Sequence, residues 1–347
     1  MDSKQKKFFW LSIGLSLAVL LIVIILTFNE DTIVAIQQLN PFYLLLAFII
    51  HMAAMGFWAA RILVMCRSLG YKVPFRHSLN MVCAGQLIAA ITPSQIGGEP
   101  VRVHELYKAD VPLADATAVV LIERLMEAVL MVLGVIFAMT LFSLVYSNGE
   151  LPEGLIIAAW LGTGFFTGLL ILLVIIMRKP AFIKKVALKI GGLFMKKMNA
   201  EKIEKITEQI VEGVDQFYNT FRFFAGKAKW GLLVGFALTF GLWACEYAVA
   251  SIILMGLGYP PNVLLSIVFQ LIIAVIMMVP LTPGASGIAE LAYAGFYSMI
   301  IPSSVIGLFV VLQRMILYYS NIIIGLIASF LIVKREAANK KVMCKDV

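Results

Sequence analysis

Of the 347 residues, 61% are hydrophobic and only 14% charged; the mean hydropathy is +0.96 and the formal net charge +8. Soluble domains are nearer half apolar and a quarter charged, so the composition excludes an ordinary soluble protein and specifies a membrane one. The positive excess does not call for nucleic acid, because Lys and Arg collect in the cytoplasmic loops of polytopic proteins as a matter of topology.

The first apolar run, 8–28, follows the basic start MDSKQKK. It is too long for the apolar part of a signal peptide, and FNEDT after it offers no small-residue cleavage site, so a retained span is expected. Further spans are expected at 41–66, 113–145, 154–177, 230–256 and 303–333, each near or above the ~20 residues that cross a bilayer as helix. Two more apolar pairs, 78–107 and 262–300, are broken by the phrases AAITPSQIGGEPVRVHELY and VPLTPGASGIAELAY. The connections NEDTIVAIQQLN, YSNGELPEG and LGYPPN lack Lys and Arg, whereas RSLGYKVPFRH, the 178–229 segment and the tail KREAANKKVMCKDV are basic. The positive-inside rule agrees at every loop if each broken pair returns to the side it entered, with both termini in the cytoplasm. Arms of about 14 to 15 residues, or ~22 Å of helix, fall short of the ~30 Å core and favour a re-entrant first pair. The longer second pair fits either a re-entrant hairpin or two thin spans. Within the insert 181–226, Ile203, Ile206, Ile210, Val214, Phe217 and Phe221 recur at helical spacing beside Lys196, Lys197, Lys202 and Lys205. That pattern predicts an interfacial amphipathic helix, either an orienting elbow or a surface for anionic headgroups.

The four cysteines (Cys66, Cys83, Cys245, Cys344) and three histidines (His51, His77, His104) are scattered and make no CxxC. No metal centre, disulfide framework or cofactor is expected, and the lack of a Walker motif argues against direct use of ATP.

The chain echoes itself. FWAAR then SLGY (57–61, 68–71) matches LWACE then GLGY (242–246, 256–259), and QLIAAITP from Gln86 matches QLIIAVIMMVPLTP from Gln270. VPLADATAVVLIER matches IPSSVIGLFVVLQR, and in both the Arg lies twelve residues after the Pro. Echoes in one order imply duplication, with repeats at 1–147 and 148–334 and a basic tail at 335–347. The charge topology makes the copies inverted. The expected fold is therefore an all-α polytopic membrane protein, an inverted repeat of three spans plus one re-entrant or broken hairpin each, an architecture of transporters. The hairpin tips hold Pro93, Gly97 and Gly98, and Thr282, Pro283, Gly284 and Gly287. Glycine lets the chain turn at membrane depth, and free N–H groups opening each second arm can face an anion. The plainer alternative is a capped hairpin tip.

Arg124 and Arg314 lie ~16 Å into their spans, close to midplane. Arginine there costs at least ~2.5 kcal/mol, so each needs protein or water around it and a partner. Arg124 has Glu123 beside it and Glu127 at i+3. Glu99 and Glu290 close the two tips, Arg102 follows the first, and Arg61 and Glu246 occupy equivalent repeat positions with opposite signs, a candidate pair. Glu105 and Asp110 read as interfacial and structural. Together these charges suggest a negative headgroup such as phosphate, which suits the bidentate fork of arginine. They could instead be buried ion pairs that fix packing.

At TPSQIGGEPVR, with ERLMEAV after it and TPGASGIAE later, the chain resembles the lysylphosphatidylglycerol synthase transmembrane-region family of flippase-like membrane proteins, and the membrane half of the multiple peptide resistance factor. The resemblance extends from about 8 to 333. It carries Pro93, Gly97, Gly98, Glu99, Arg102, Glu123 and Arg124 onto a first family motif, and Thr282, Pro283, Gly284, Gly287 and Glu290 onto a second. It implies translocation of a phospholipid or polyprenyl-phosphate-type lipid between leaflets of the plasma membrane. No soluble synthase or glycosyltransferase portion follows the last span, so a separate enzyme of that kind is an expected partner and lipid synthesis by this chain is not expected. The second tip reads Ala-Ser where the family favours more glycine, which predicts a looser turn. Two rival functions are a membrane lipid (di)phosphatase, for which the sequence offers Ser286 without an adjoining Arg, and a non-transporting scaffold.

Overall fold

The computed structural model describes residues 30–92, 97–145, 200–277 and 285–343, together with Thr282 and scattered positions within 14–25 and 157–185. The described residues form helices and no strand. In chain order these are α1 (Glu30–Gln38), α2 (Pro41–Ser68), α3 (Phe75–Ile91), α4 (Gly98–Lys108), α5 (Leu113–Val145), α6 (Ala200–Gly226), α7 (Lys229–Gly256), α8 (Val263–Met277), α9 (Ile288–Tyr297) and α10 (Ser303–Arg314), then a π-helical turn (Met315–Tyr319) and α11 (Ser320–Met343). Three described stretches are long and apolar enough to cross a membrane: Pro41–Ser68, Lys229–Gly256 and Ser303–Arg335. The expected span at 113–145 is one continuous helix, α5. Those expected at 8–28 and 154–177 fall largely outside the described residues.

Helices α2 and α7, which carry the echoing FWAAR and LWACE phrases, pack against each other along their length. Tyr43 meets Gly256, His51 meets Glu246, Arg61 meets Thr239 and Ser68 meets Gly231, so the two run antiparallel. Lipid gives no hydrophobic drive to helix association, so close approach through small residues matters. A Cβ at Gly231 would collide with the Ser68 side chain, and one at Gly256 would lie 3.1 Å from Tyr43 Cβ. Asn40 ties the far end: its N–H donates to the Gly256 carbonyl at 2.9 Å and its side-chain oxygen accepts from Phe42 N–H at 3.0 Å, capping α2. Leu45, Ile49, Leu233 and Phe240 remain exposed on the outer faces of this pair, the arrangement lipid contact calls for.

Each broken pair folds back on itself, α3 on α4 and α8 on α9. The second arms have 11 and 10 residues, ~15–16 Å of helix and half the ~30 Å core. The second pair is thus no more a pair of full spans than the first. The two halves also interlock. α3 packs antiparallel on α11, with Tyr318 Oη donating to the Ala90 carbonyl at 3.2 Å and Arg335 reaching His77 at 2.9 Å. Reciprocally, α8 packs on α5, where Leu271 covers Gly134.

The amphipathic pattern in the insert forms α6, which packs on α5. Its Thr220 and Gln216 donate to the carboxylate of Asp115 in the first turn of α5, which also accepts the Tyr71 hydroxyl at 2.6 Å. Burial and then that hydrogen bond push the Tyr71 phenol up to about 12. α6 is therefore docked by a polar clasp as well as by its apolar stripe.

Candidate functional site

The first cluster forms where α2, α4 and α5 converge. Arg61 is enclosed: Nε donates to Glu123 Oε1 and Nη2 to Glu127 Oε1, both at 2.8 Å, and Nη1 to Thr239 Oγ1 of α7 at 3.0 Å. Glu127 gives its other oxygen to Arg124 at 2.5 Å, the i+3 pairing that the sequence suggested. Arg124 also pairs with Glu99 from the start of α4. Arg102 completes the group, 3.9 Å from Glu99 and 3.8 Å from Glu123. Three guanidinium groups thus face three carboxylates, close to neutral as buried charge must be.

The cluster is unevenly satisfied. Arg102 is only 2% exposed, yet its Nε and Nη2 make no hydrogen bond, and neither does Oε2 of Glu99 or of Glu123. The Arg102 guanidinium lies 4.8 Å from the Trp58 ring centre, a cation–π contact that stabilises its charge without using its N–H groups. Beside it Arg124 is 30% exposed. Unbonded donors on a buried arginine next to an accessible one can donate to the oxygens of a ligand.

The second cluster lies where α9 meets α10. Arg314 Nε donates to Glu290 Oε1 at 2.9 Å, Nη2 approaches Ser286 Oγ at 3.4 Å, and the guanidinium stacks 4.0 Å from the Tyr318 ring centre in the π-helical turn. Glu290 uses its other oxygen to accept the Gly287 N–H at 2.7 Å, capping α9. Arg314 is 3% exposed and Glu290 0%. π-Helical turns interrupt α-helices most often at functional sites.

Both clusters share one plan. A tip carboxylate, Glu99 or Glu290, pairs with the arginine at the twelfth position of the helix after the hairpin. The sequence marked these four residues but not the pairings, which bridge about two dozen residues.

Four expectations are corrected. Arg61 does not pair with Glu246. In the antiparallel register it sits opposite Thr239, seven residues and ~10 Å from Glu246 along α7, while Glu246 pairs with His51 at 2.9 Å. Two of the N–H groups at the starts of the second arms are already engaged and do not await an external anion: Gly97 N–H donates to Thr92 Oγ1 at 2.9 Å and Gly287 N–H to Glu290. Gly97 is needed for space and not for a left-handed turn, since its φ is −67° and a Cβ would lie 2.5 Å from Thr92 Cγ2. Gly287 does need its freedom, with φ at 86°. The Ala-Ser pair of the second tip is packed and not loose: Ala285 and Ser286 are fully buried. Gly98 packs against Gly85, and Thr282 holds a buried hydroxyl that makes no hydrogen bond. Pro93, Pro283 and Gly284 lie outside the described residues. The sequence reading also missed Trp58, Thr239, Asn321 and Tyr318, ordinary residues in apolar helices that no local spacing marks, and named His51 without its place beside Glu246. It noted Ser286 but not its place beside Arg314.

Interrupted helices and ionisable residues packed inside apolar spans define a polytopic helical membrane protein with an intramembrane polar site. This chain belongs to the family described as the lysylphosphatidylglycerol synthase TM region, whose profile matches residues 9–325. A UPF0104 membrane protein of Archaeoglobus fulgidus is 34% identical over 328 residues, covering 92% of this chain and 95% of that one. One from Methanocaldococcus jannaschii is 29% identical over 305 residues (87% and 88%), and one from Methanothermobacter thermautotrophicus 25% over 307 residues (85% and 86%).

Proposed function

We propose that this protein moves a phosphate-bearing lipid, a phospholipid or a polyprenyl-phosphate-type lipid, between the leaflets of the plasma membrane. The observation that carries the reading is Arg102: a buried guanidinium whose Nε and Nη2 face Glu123 and Glu99 at 3.8 and 3.9 Å without hydrogen-bonding them, beside the accessible Arg124, at the tip of a hairpin too short to cross. A headgroup phosphate would accept from both arginines while the acyl chains stay in lipid. Glu99 would hand Arg124 to the phosphate, and Arg61 with Glu123 and Glu127 would hold the floor of the site.

The antiparallel packing of α2 on α7 and the matched tip-carboxylate pairs support an inverted repeat. In that arrangement Arg314 with Glu290 would lock the second hairpin in place while alternating access carries the first cluster from one leaflet to the other. Both termini and α6 would face the cytoplasm, where their Lys and Arg belong. A separate lipid synthase or glycosyltransferase would supply or consume the cargo.

The test is reconstitution of the full chain in phosphatidylethanolamine vesicles with acyl-chain-labelled phosphatidylglycerol, followed by quenching of the outer leaflet. Protein-dependent loss of the protected signal, abolished by Arg124→Ala in a folded protein, supports translocation. An unchanged protected fraction rejects it, and release of inorganic phosphate from a polyprenyl diphosphate added to the same vesicles would make the protein a lipid phosphatase.

A further inference from the structure

A third polar group lies away from both clusters. His51 is 1% exposed and sits ~15 Å along α2. Its Nδ1 is 2.9 Å from Glu246 Oε1 on α7 and its Nε2 is 3.0 Å from Asn321 Oδ1 on α11. The Asn321 amide cannot be turned round, because its Nδ2 donates to the Leu317 carbonyl at 2.7 Å and a carbonyl only accepts. Its oxygen therefore faces the ring, and Nε2 must carry a hydrogen. The other nitrogen faces a carboxylate oxygen, so a second hydrogen must lie between Nδ1 and Oε1, on one or the other. Without it two lone pairs would meet and the site would hold a net negative charge inside the membrane.

From this geometry we propose that His51, Glu246 and Asn321 form a binding site for one exchangeable proton, which the protein takes up and releases as it moves its cargo. The second half of that statement rests on the transport reading; the first does not. Glu246 is 18% exposed while His51 is enclosed, so the carboxylate is the end through which a proton enters. Losing the proton adds a charge at the seam of α2, α7 and α11, which a change in the packing of these helices could relieve.

Titratable groups also stand on the neighbouring elements; on α10, which packs on α7, Arg314 is paired with Glu290. On α7, Cys245 adjoins Glu246 and Tyr247 donates to Met131 Sδ. On α5, Glu123, Arg124 and Glu127 are bound to Arg61 and Glu99. On α3, His77 is held by the Glu105 carbonyl and Arg335, and in the π-helical turn Tyr318 bonds the Ala90 carbonyl. Among the described residues, the polar contacts of the His51 ring are Glu246 and Asn321.

The experiment uses the full chain in proteoliposomes, labelled with 15N-histidine. The three histidines are told apart by making His77→Gln and His104→Gln singly. The wild-type His51 Nδ1 signal should titrate in one step between about pH 5 and about pH 10, and in Glu246→Gln that step should vanish or fall below the range. A wild-type Nδ1 signal that ignores pH across that range overturns the proposal, whether or not the variant folds. In the same vesicles, an imposed pH gradient should shift the leaflet distribution of labelled phosphatidylglycerol by up to about tenfold per pH unit. Lipid that moves without regard to the gradient overturns the coupling. Lipid that does not move at all rejects the transport reading, and the ring titration then decides the proton site alone.

Discussion

The two arginine clusters are built on one plan and finished differently. In the second, one arginine and one carboxylate satisfy each other: Arg314 is clamped by Glu290, Ser286 and the Tyr318 ring, and Glu290 also caps its own helix. In the first, three arginines share three glutamates: Arg102, Glu99 and Glu123 keep unbonded atoms, and Arg124 and Glu99 keep exposure. A closed pair is a packing device, and its two charges cost little only while both remain. A group that keeps unbonded donors and acceptors is incomplete in the way a binding site is incomplete. Similar residues beside the two tips are therefore satisfied to different degrees, the difference on which the proposed division of work rests.

Mutations can break that contrast. The largest effect should come from Arg61→Ala, which strands Glu123 and Glu127 together; removing one partner from a buried ion pair costs ~3–5 kcal/mol. Loss of monodisperse protein on detergent size-exclusion chromatography is the expected outcome. Arg314→Ala should follow at about 3 kcal/mol, since it leaves Glu290 buried, with a lowered unfolding temperature as the readout. Arg124→Ala should cost only about 1 kcal/mol, because the side chain is partly exposed and Glu127 keeps Arg61. It should nonetheless abolish lipid movement, a separation of stability from function that Arg314→Ala should not show. The smallest effect expected is that of Tyr71→Phe, which removes one hydrogen bond to Asp115 outside both clusters and should cost about 1 kcal/mol or less, with translocation unchanged.

Much of the frame could be read from the residues. Apolar run length, loop charge and the Pro/Gly breaks located α2, α5, α7, the long run from Ser303 and both hairpins. The i+3 spacing located Arg124 with Glu127, because helical geometry fixes that contact without knowledge of the fold. The remaining pairings depend on how helices are set beside one another. Glu99 with Arg124 and Glu290 with Arg314 are contacts across a hairpin, so no local spacing encodes them. Arg61 with Glu246 was inferred from the internal repeat, but equivalent positions in antiparallel helices need not be opposite positions. The α2–α7 register puts Arg61 at Thr239 and leaves Glu246 to His51. The glycines at the first tip were recognisable as necessary, though for a different reason: Thr92 and Gly85 approach too closely for a side chain.

The central claim is that the first cluster holds the phosphate and the second holds the fold. Its most direct test is lipid retention in native mass spectrometry of the full chain, extracted mildly, for wild type, Arg124→Ala and Arg314→Lys. The account predicts a phosphate-bearing lipid retained by wild type and by Arg314→Lys, and lost roughly tenfold, about 1.4 kcal/mol of binding, in folded Arg124→Ala. Lipid retained by Arg124→Ala and lost by folded Arg314→Lys would contradict it and move the site to the second cluster.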